Sequence, residues 1–401
     1  MNLLIEKERA ESAEQNRIMK IFKQGLFEDT LPFWLKHGVD KEFGGYLTSL
    51  DRDGKLIDSD KGIWVQGRFA WLLATLYNDV DPNSEWLTAC ENGIDFLDRY
   101  GFDKSDGRMW FHVTQSGEPI RKRRYSFSEA FACIAYAEYS KAVGSEEYKK
   151  KAISLFEKYQ AYLDGPDFTP KFTDTRKMVG IGRYMIDIVT CLILRKAADY
   201  TYADRIIDSC INKIRTLFVK EELKCVMENV GPGGEIYDHY DSRILNPGHA
   251  IECAWFIMKE GSLRNKEEYI DLGCKMLEWM WCRGWDKQFG GILYFTDVYN
   301  KPVQEYWHDM KFWWPHNETV IATLMAYSLT GQKKFADMFH EVHNWTYERF
   351  PDPEFGEWFG YLHRDGSVSS TVKGNMWKGP FHMPRMQLEC WQILQNCSGL
   401  F

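Results

Sequence analysis

FGGYLTSLDRDG, Phe43 to Gly54, reads as a glycine turn, a run of alternating aromatic and polar residues and a second turn: a short hairpin. The pattern returns in DGRMWFHVTQSG (Asp106 to Gly117), GGEIYDHYDS (Gly233 to Ser242), FGGILYFTDVYN (Phe289 to Asn300) and FGEWFGYLHRDG (Phe355 to Gly366). The starts lie roughly 60 residues apart, with one doubled interval that holds the degenerate DGPDFTPKFTD (Asp164 to Asp174), so the period implies six units.

Helical periodicity fills the spaces between the turns. The windows are Ile18 to Lys36, Phe69 to Tyr77, Trp86 to Tyr100, Ser128 to Val143, Tyr148 to Tyr162, Tyr184 to Ala198, Tyr202 to Phe218, Pro247 to Lys259, Lys266 to Cys282, Pro315 to Ser328, Lys333 to Phe350 and Pro384 to Cys397. Two helices per unit and no continuous β-branched runs predict an all-α chain without a parallel sheet. Six helical hairpins close most naturally into an (α/α)6 barrel of about twelve helices, with the short hairpins at the active-site end. No Pro/Gly/Ser-rich linker breaks the 401 residues, so residues 1–401 are expected to form one catalytic domain. An open solenoid with a concave peptide-binding face is the alternative.

Composition narrows the function. A formal net charge of −8 argues against nucleic acid and anionic membrane as partners. The aromatic fraction of 15%, with 16 tryptophans, is high; most are accounted for as core aromatics, and those in excess of the core suit a cleft, because flat indole faces stack on sugar rings. The N-terminal residues have no apolar stretch of signal-peptide length, and the ten scattered cysteines form no CxxC, which together predict a cytoplasmic protein with reduced, buried thiols.

Polar residues at helix starts carry the candidate chemistry. In RILNPGHAIECAWF, Arg243 to Phe256, Asn246 is placed to cap a helix and Pro247 to open it, so His249 and Glu252 share one face. The helix N-terminus disfavours an imidazolium and keeps His249 a base. In KFWWPHNE, Lys311 to Glu318, Pro315 opens a helix with His316 and Glu318 in its first turn, beside Trp313 and Trp314 as a ligand wall. In KGPFHMPR, prolines 380 and 384 bracket His382 in a stiff loop ahead of the last helix, with Trp377 and Lys378 just before it. Arg68 in WVQGRF precedes another apolar helix. Two histidines facing across a sugar exchange protons with one carbon, and the C2–H of an open-chain aldose is acidic because the C1 aldehyde delocalises the carbanion. Arg68 supplies charge for the oxyanion. His340 and His343, three apart, read as surface histidines rather than metal ligands, and Arg121 to Arg124 as a solvated basic cluster. No GxGxxG, GxxxxGK[ST] or HExxH is present, and the chemistry requires no cofactor.

WVQGRF, RILNPGHAIECAWF, FGGILYF, MKFWWPHNE, FGEWFGYLHRDG and KGPFHMPR together resemble the N-acylglucosamine 2-epimerase family, from about residue 40 to 390. The resemblance implies an (α/α)6 barrel, usually a homodimer, that interconverts N-acetyl-D-glucosamine and N-acetyl-D-mannosamine, sugars of sialic acid metabolism. It implies Arg68 as the active-site arginine, His249 and His382 as the proton-transfer pair and Glu318 as the catalytic glutamate, with Glu252, Trp313, Trp314, His316, Trp377 and Lys378 around the substrate. ATP as an allosteric activator is a further implication, with no phosphate-loop motif to carry it. Similar enzymes acting on cellobiose, mannose or sulfoquinovose have an extra histidine where this chain reads GIGRYMID (Gly180 to Asp187), which favours the N-acyl type. The alternatives are an aldose–ketose isomerase or 2-epimerase on non-acetylated sugars, an inverting glycoside hydrolase using Glu252 and Glu318 as acid and base, and a non-catalytic binding protein.

Overall fold

The computed structural model describes residues 2–122, 126–397 and 400, and of residues 2–12 the backbone alone. Arg123 and Arg124 of the basic cluster lie outside the described residues. Twelve long helices run through them: α1 (Asn2–Gln24), α2 (Ile63–Asp79), α3 (Ser84–Tyr100), α4 (Phe127–Val143), α5 (Glu146–Asp164), α6 (Gly182–Ala198), α7 (Ala203–Lys213), α8 (Pro247–Arg264), α9 (Glu267–Gly284), α10 (Trp313–Thr330), α11 (Lys333–Arg349) and α12 (His382–Asn396). None is long and apolar enough to cross a membrane.

The chain divides into two compact units. In the first (Met1–Pro32, Thr216–Thr371, His382–Phe401), α8, α10 and α12 pack in a row, backed by α9, α11 and α1. In the second (Phe33–Arg215, Val372–Phe381), α2, α4 and α6 form the row, backed by α3, α5 and α7. This pairwise alternation is the all-α, (α/α)-barrel architecture that the period implied. Row and backing helices differ as their sequences do. Every residue of α10 from Trp313 to Ala326 is buried, whereas α11 buries one stripe: Phe335, Ala336, Phe339, Val342, His343, Trp345 and Thr346. Gly67 lets the row close up, since a Cβ there would lie 2.6 Å from the Phe131 backbone of α4.

The turns share a device that the hairpin pattern overlooks. Asp40, Asp103, Asp286 and Asp352 each bond by their backbone N–H to the carbonyl five residues on, at 2.8–3.2 Å. Their Oδ1 atoms accept the N–H of Glu42, Ser105, Gln288 and Glu354. Lysines ahead of the next row helix neutralise three of them: Lys61 on Asp40, Lys122 on Asp103 and Lys311 on Asp286. Lys311 and Asp286 are both buried, and burial lowers the lysine pKa to about 8 against the pull of the carboxylate.

Three of the five expected hairpins form, with arms Ser49–Leu50/Leu56–Asp58, His112–Val113/Pro119–Arg121 and Tyr361–Leu362/Val368–Ser370. In Phe289 to Asn300, Asp297 instead collects the N–H groups of Tyr299 and Lys301, and the strand Thr296–Asp297 pairs with Ile244–Leu245. In Gly233 to Ser242, His239 caps the short helix Tyr240–Arg243. Asp164 to Asp174 carries no strand. Cys90, Cys133, Cys191, Cys210, Cys225, Cys253, Cys274 and Cys390 are free and buried, Cys282 is exposed and Cys397 half-buried.

Three helix starts at candidate residues differ from expectation. α2 begins at Ile63, so Arg68 is its sixth residue rather than a residue ahead of the helix. α10 begins at Trp313, so Pro315 is its third residue; α12 begins at His382, which therefore sits in the helix rather than in a loop before it. A first-turn N–H has no intrahelical partner, so a proline there removes nothing the helix uses.

Candidate active site

The starts of α8, α10 and α12 converge in the first unit. Strand Ile244–Leu245 delivers Asn246, whose side chain caps α8 by accepting the His249 N–H at 3.1 Å, with Pro247 at the first helical position as read. That bond orients the amide, so Asn246 Nδ2 lies 3.0 Å from His249 Nδ1. Both carboxylate oxygens of Glu228 lie 3.1 Å from the same nitrogen. Gly248 gives Trp314 room, because a Cβ there would come 2.6 Å from the indole.

Glu318 is fully buried in the first turns of α10. Its Oε1 lies 2.7 Å from His382 Nδ1 and accepts from Arg385 Nη2 at 2.7 Å, while Oε2 accepts from the Trp255 indole at 2.8 Å. An ionised carboxylate only accepts, so His382 donates its Nδ1–H and carries the lone pair on Nε2. Arg385 Nη2 also donates to Glu252. Burial opposes the charged guanidinium, but Glu318 and Glu252 outweigh it and hold the Arg385 pKa above its usual value. Glu252, Glu318 and His382 offer ligand atoms within 4.8 Å of one another, a grouping able to hold a metal ion; the cation on both carboxylates is Arg385.

Trp314 joins the two histidines, its ring centroid 4.9 Å from that of His249 and 5.7 Å from that of His382. Trp313 is 6.2 Å from His382. The first unit thus brings together His249, Glu252, Trp313, Trp314, Glu318 and His382. His316 is set apart from them in role. Its Nδ1 donates to the Phe312 carbonyl at 2.6 Å and its Nε2 accepts the Ile292 N–H at 2.9 Å, so neither nitrogen is left for a sugar. It stacks on Trp345, and complete burial lowers its pKa to about 3.

Arg68, Trp377 and Lys378 belong to the second unit. The Arg68 guanidinium lies 4.0 Å from the Phe131 ring and 4.5 Å from Phe381, a cation–π setting. Trp377 is exposed, edge-on to Trp64. Lys378 is buried, its ammonium donating to the Lys373 carbonyl at 2.6 Å. In GIGRYMID, Arg183 pairs with Asp164 at 2.7 Å and approaches Asp187 at 3.8 Å. His343 is a buried residue stacked on Tyr347, with a pKa lowered by burial to about 4, rather than the surface histidine expected.

Glu228, Trp255 and Arg385 were not singled out from sequence. Arg385 and Trp255 carried a signal: each lies three residues beyond a candidate, His382 and Glu252, on the same helix face. Glu228 carried none, being 21 residues before its histidine.

The pattern of the N-acylglucosamine 2-epimerase (GlcNAc 2-epimerase) family matches residues 45–382. The chain belongs to that family. It is 34% identical to the bovine (Bos taurus) N-acylglucosamine 2-epimerase over 91% of this chain and 88% of the relative. It is 25% identical to the cellobiose 2-epimerase of Eubacterium cellulosolvens over 94% and 98%. The solved cellobiose 2-epimerase of Spirochaeta thermophila superposes with a TM-score of 0.82 at 20% identity, covering 96% of this chain and 98% of that one, a likeness of fold. The family member described here is therefore an enzyme of carbohydrate metabolism, a sugar 2-epimerase of the group that spans the N-acylglucosamine and cellobiose enzymes.

Proposed function

We propose that this epimerase interconverts N-acetyl-D-glucosamine and N-acetyl-D-mannosamine by removing and returning the C2 proton with His249 and His382. The observation that carries the reading is Trp314 in ring contact with two imidazoles, each with a carboxylate on Nδ1. Such a pair supplies a base to one face of a planar enolate and an acid to the other. After ring opening, one neutral histidine takes the C2 proton and the electron pair moves into the C1 carbonyl. The other, as imidazolium, returns a proton to the opposite face of C2 while the carbonyl re-forms. Glu318, fully buried, acts through His382 and Arg385 rather than on the sugar. Arg68 remains the proposed cation for the oxyanion, on the chemical ground that guanidinium is charged at every working pH. The N-acyl substrate follows the higher identity to the N-acylglucosamine enzyme, 34% against 25% for the cellobiose enzyme.

The test is proton NMR of N-acetyl-D-mannosamine with the enzyme in D₂O, with and without ATP. Appearance of N-acetyl-D-glucosamine deuterated at C2 is expected. Turnover of cellobiose or mannose instead, with the N-acetyl sugars untouched, sinks the N-acyl reading, and a ketose product selects isomerase chemistry. His249→Ala and His382→Ala are each expected to lose about 10³-fold or more in kcat; near-normal turnover in either removes the two-histidine mechanism.

A further inference from the structure

We propose that Glu228 is the positioning residue for His249: its carboxylate takes the ring Nδ1–H and so aims the Nε2 lone pair at the sugar's C2. The inference rests on the two-histidine reading above. Both Glu228 oxygens lie 3.1 Å from His249 Nδ1. Were that nitrogen unprotonated, its lone pair would face two anionic oxygens with no hydrogen between them, an arrangement that repels. A proton on Nδ1 turns the same geometry into a charge-assisted hydrogen bond.

The chain holds Glu228 as firmly as it holds the histidine. The Glu228 N–H reaches the Ile244 carbonyl at 3.4 Å, on the strand that runs into the Asn246 cap. On either side, Met227 N–H bonds to the Phe218 carbonyl at 3.0 Å and Asn229 Nδ2 to the Asp241 carbonyl at 3.0 Å. Val226 and Met227 are fully buried. Asn246 holds the histidine from the backbone side, its oxygen accepting the His249 N–H; its Nδ2, 3.0 Å from Nδ1, is itself a donor and makes no bond to a protonated Nδ1, which leaves Glu228 as the acceptor there.

The result is a second carboxylate–imidazole dyad to match Glu318–His382, reached from a loop instead of a neighbouring helix. Both rings then present Nε2, as an exchange at the two faces of one carbon requires. Protons balance: one Nε2 gains what C2 loses, the other gives what C2 regains, and solvent exchange resets the pair between turnovers.

The test separates this proposal from the reading it rests on. Long-range ¹H–¹⁵N spectra of histidine-labelled full-length enzyme without substrate, assigned by comparison with His249→Ala, report the tautomer at pH 8. The Nδ1–H form is expected in the wild type. In Glu228→Gln the amide can donate to Nδ1, so the ring is expected to switch to Nε2–H, with kcat falling about 10²-fold and KM moving less than about threefold. Glu228→Asp is expected to keep the Nδ1–H form and to recover part of kcat. An Nε2–H tautomer in the wild type overturns the proposal, as does Glu228→Gln with near-normal kcat. An active His249→Ala enzyme overturns the two-histidine reading instead, whatever the tautomer.

Discussion

His316 and His249 stand near helix starts, each just after a proline, yet they meet opposite kinds of partner. His249 meets a carboxylate and an amide beside an indole; His316 is sealed between the Phe312 carbonyl and the Ile292 N–H. This sealing has a pH signature. The folded pKa of His316 is about 3, below the ordinary 6.5 of the unfolded chain. As pH falls from 6.5 towards 3, the unfolded state takes up a proton that the folded state refuses. Stability from this site is therefore complete above pH 6.5 and drains away on acidification by about 1.4 kcal/mol per pH unit. His316→Gln, which does not titrate, should lie below the wild type at pH 7 and close the gap by about 2 kcal/mol at pH 5 in urea melts. A gap that stays constant with pH contradicts a neutral, sealed His316.

Helices α8, α10 and α12 put four charged or titratable side chains from their first two turns into the same buried cluster: Glu252 from α8, Glu318 from α10, and His382 with Arg385 from α12. Packing sets these groups within hydrogen-bond reach, and the single guanidinium makes two buried carboxylates tolerable. Arg385→Met is predicted to cost about 3–5 kcal/mol in urea denaturation and to abolish turnover, because both carboxylates lose their cation. Adding Glu252→Gln should recover part of the stability without the activity; a double variant no more stable than the single one would show that Glu252 and Arg385 do not act as a pair. The helix starts were legible because caps and prolines act locally, as Asn246 and Pro247 do. The extra residues at the fronts of α10 and α12 were not, because a proline in the first turn is compatible with several starting points. The turn aspartates stand in plain view in DKEFGG, DKQFGG and DPEFGE, but a hairpin pattern that begins at the glycines omits them.

For the molecule as a whole, binding and catalysis should separate. On the proposed mechanism His249→Ala removes a proton acceptor and is expected to leave the helices intact, with far-UV circular dichroism that matches the wild type. On the proposed N-acyl reading, N-acetyl-D-mannosamine at about 100 times its Kd is expected to stabilise the folded state by about 2.7 kcal/mol, which for a chain of 401 residues is about 3 °C in Tm. The variant should keep that shift while losing turnover. Loss of both together would place His249 in substrate binding rather than proton transfer.

The sequence by itself determined the all-α architecture, its unit period, the helix starts at Asn246–Pro247, and the candidacy of His249, His382, Glu318 and Glu252. All of these follow from signals carried within a few residues: periodicity, capping, proline placement and spacing of three. Only the tertiary structure decided which candidates share a site, that Arg385 is the cation on both glutamates, that His316 is bound to backbone on both sides, and that Glu228 meets His249 across 21 residues. Those pairings are hydrogen bonds and ion pairs of about 3 Å between distant parts of the chain, and no local pattern encodes a distance that packing alone creates.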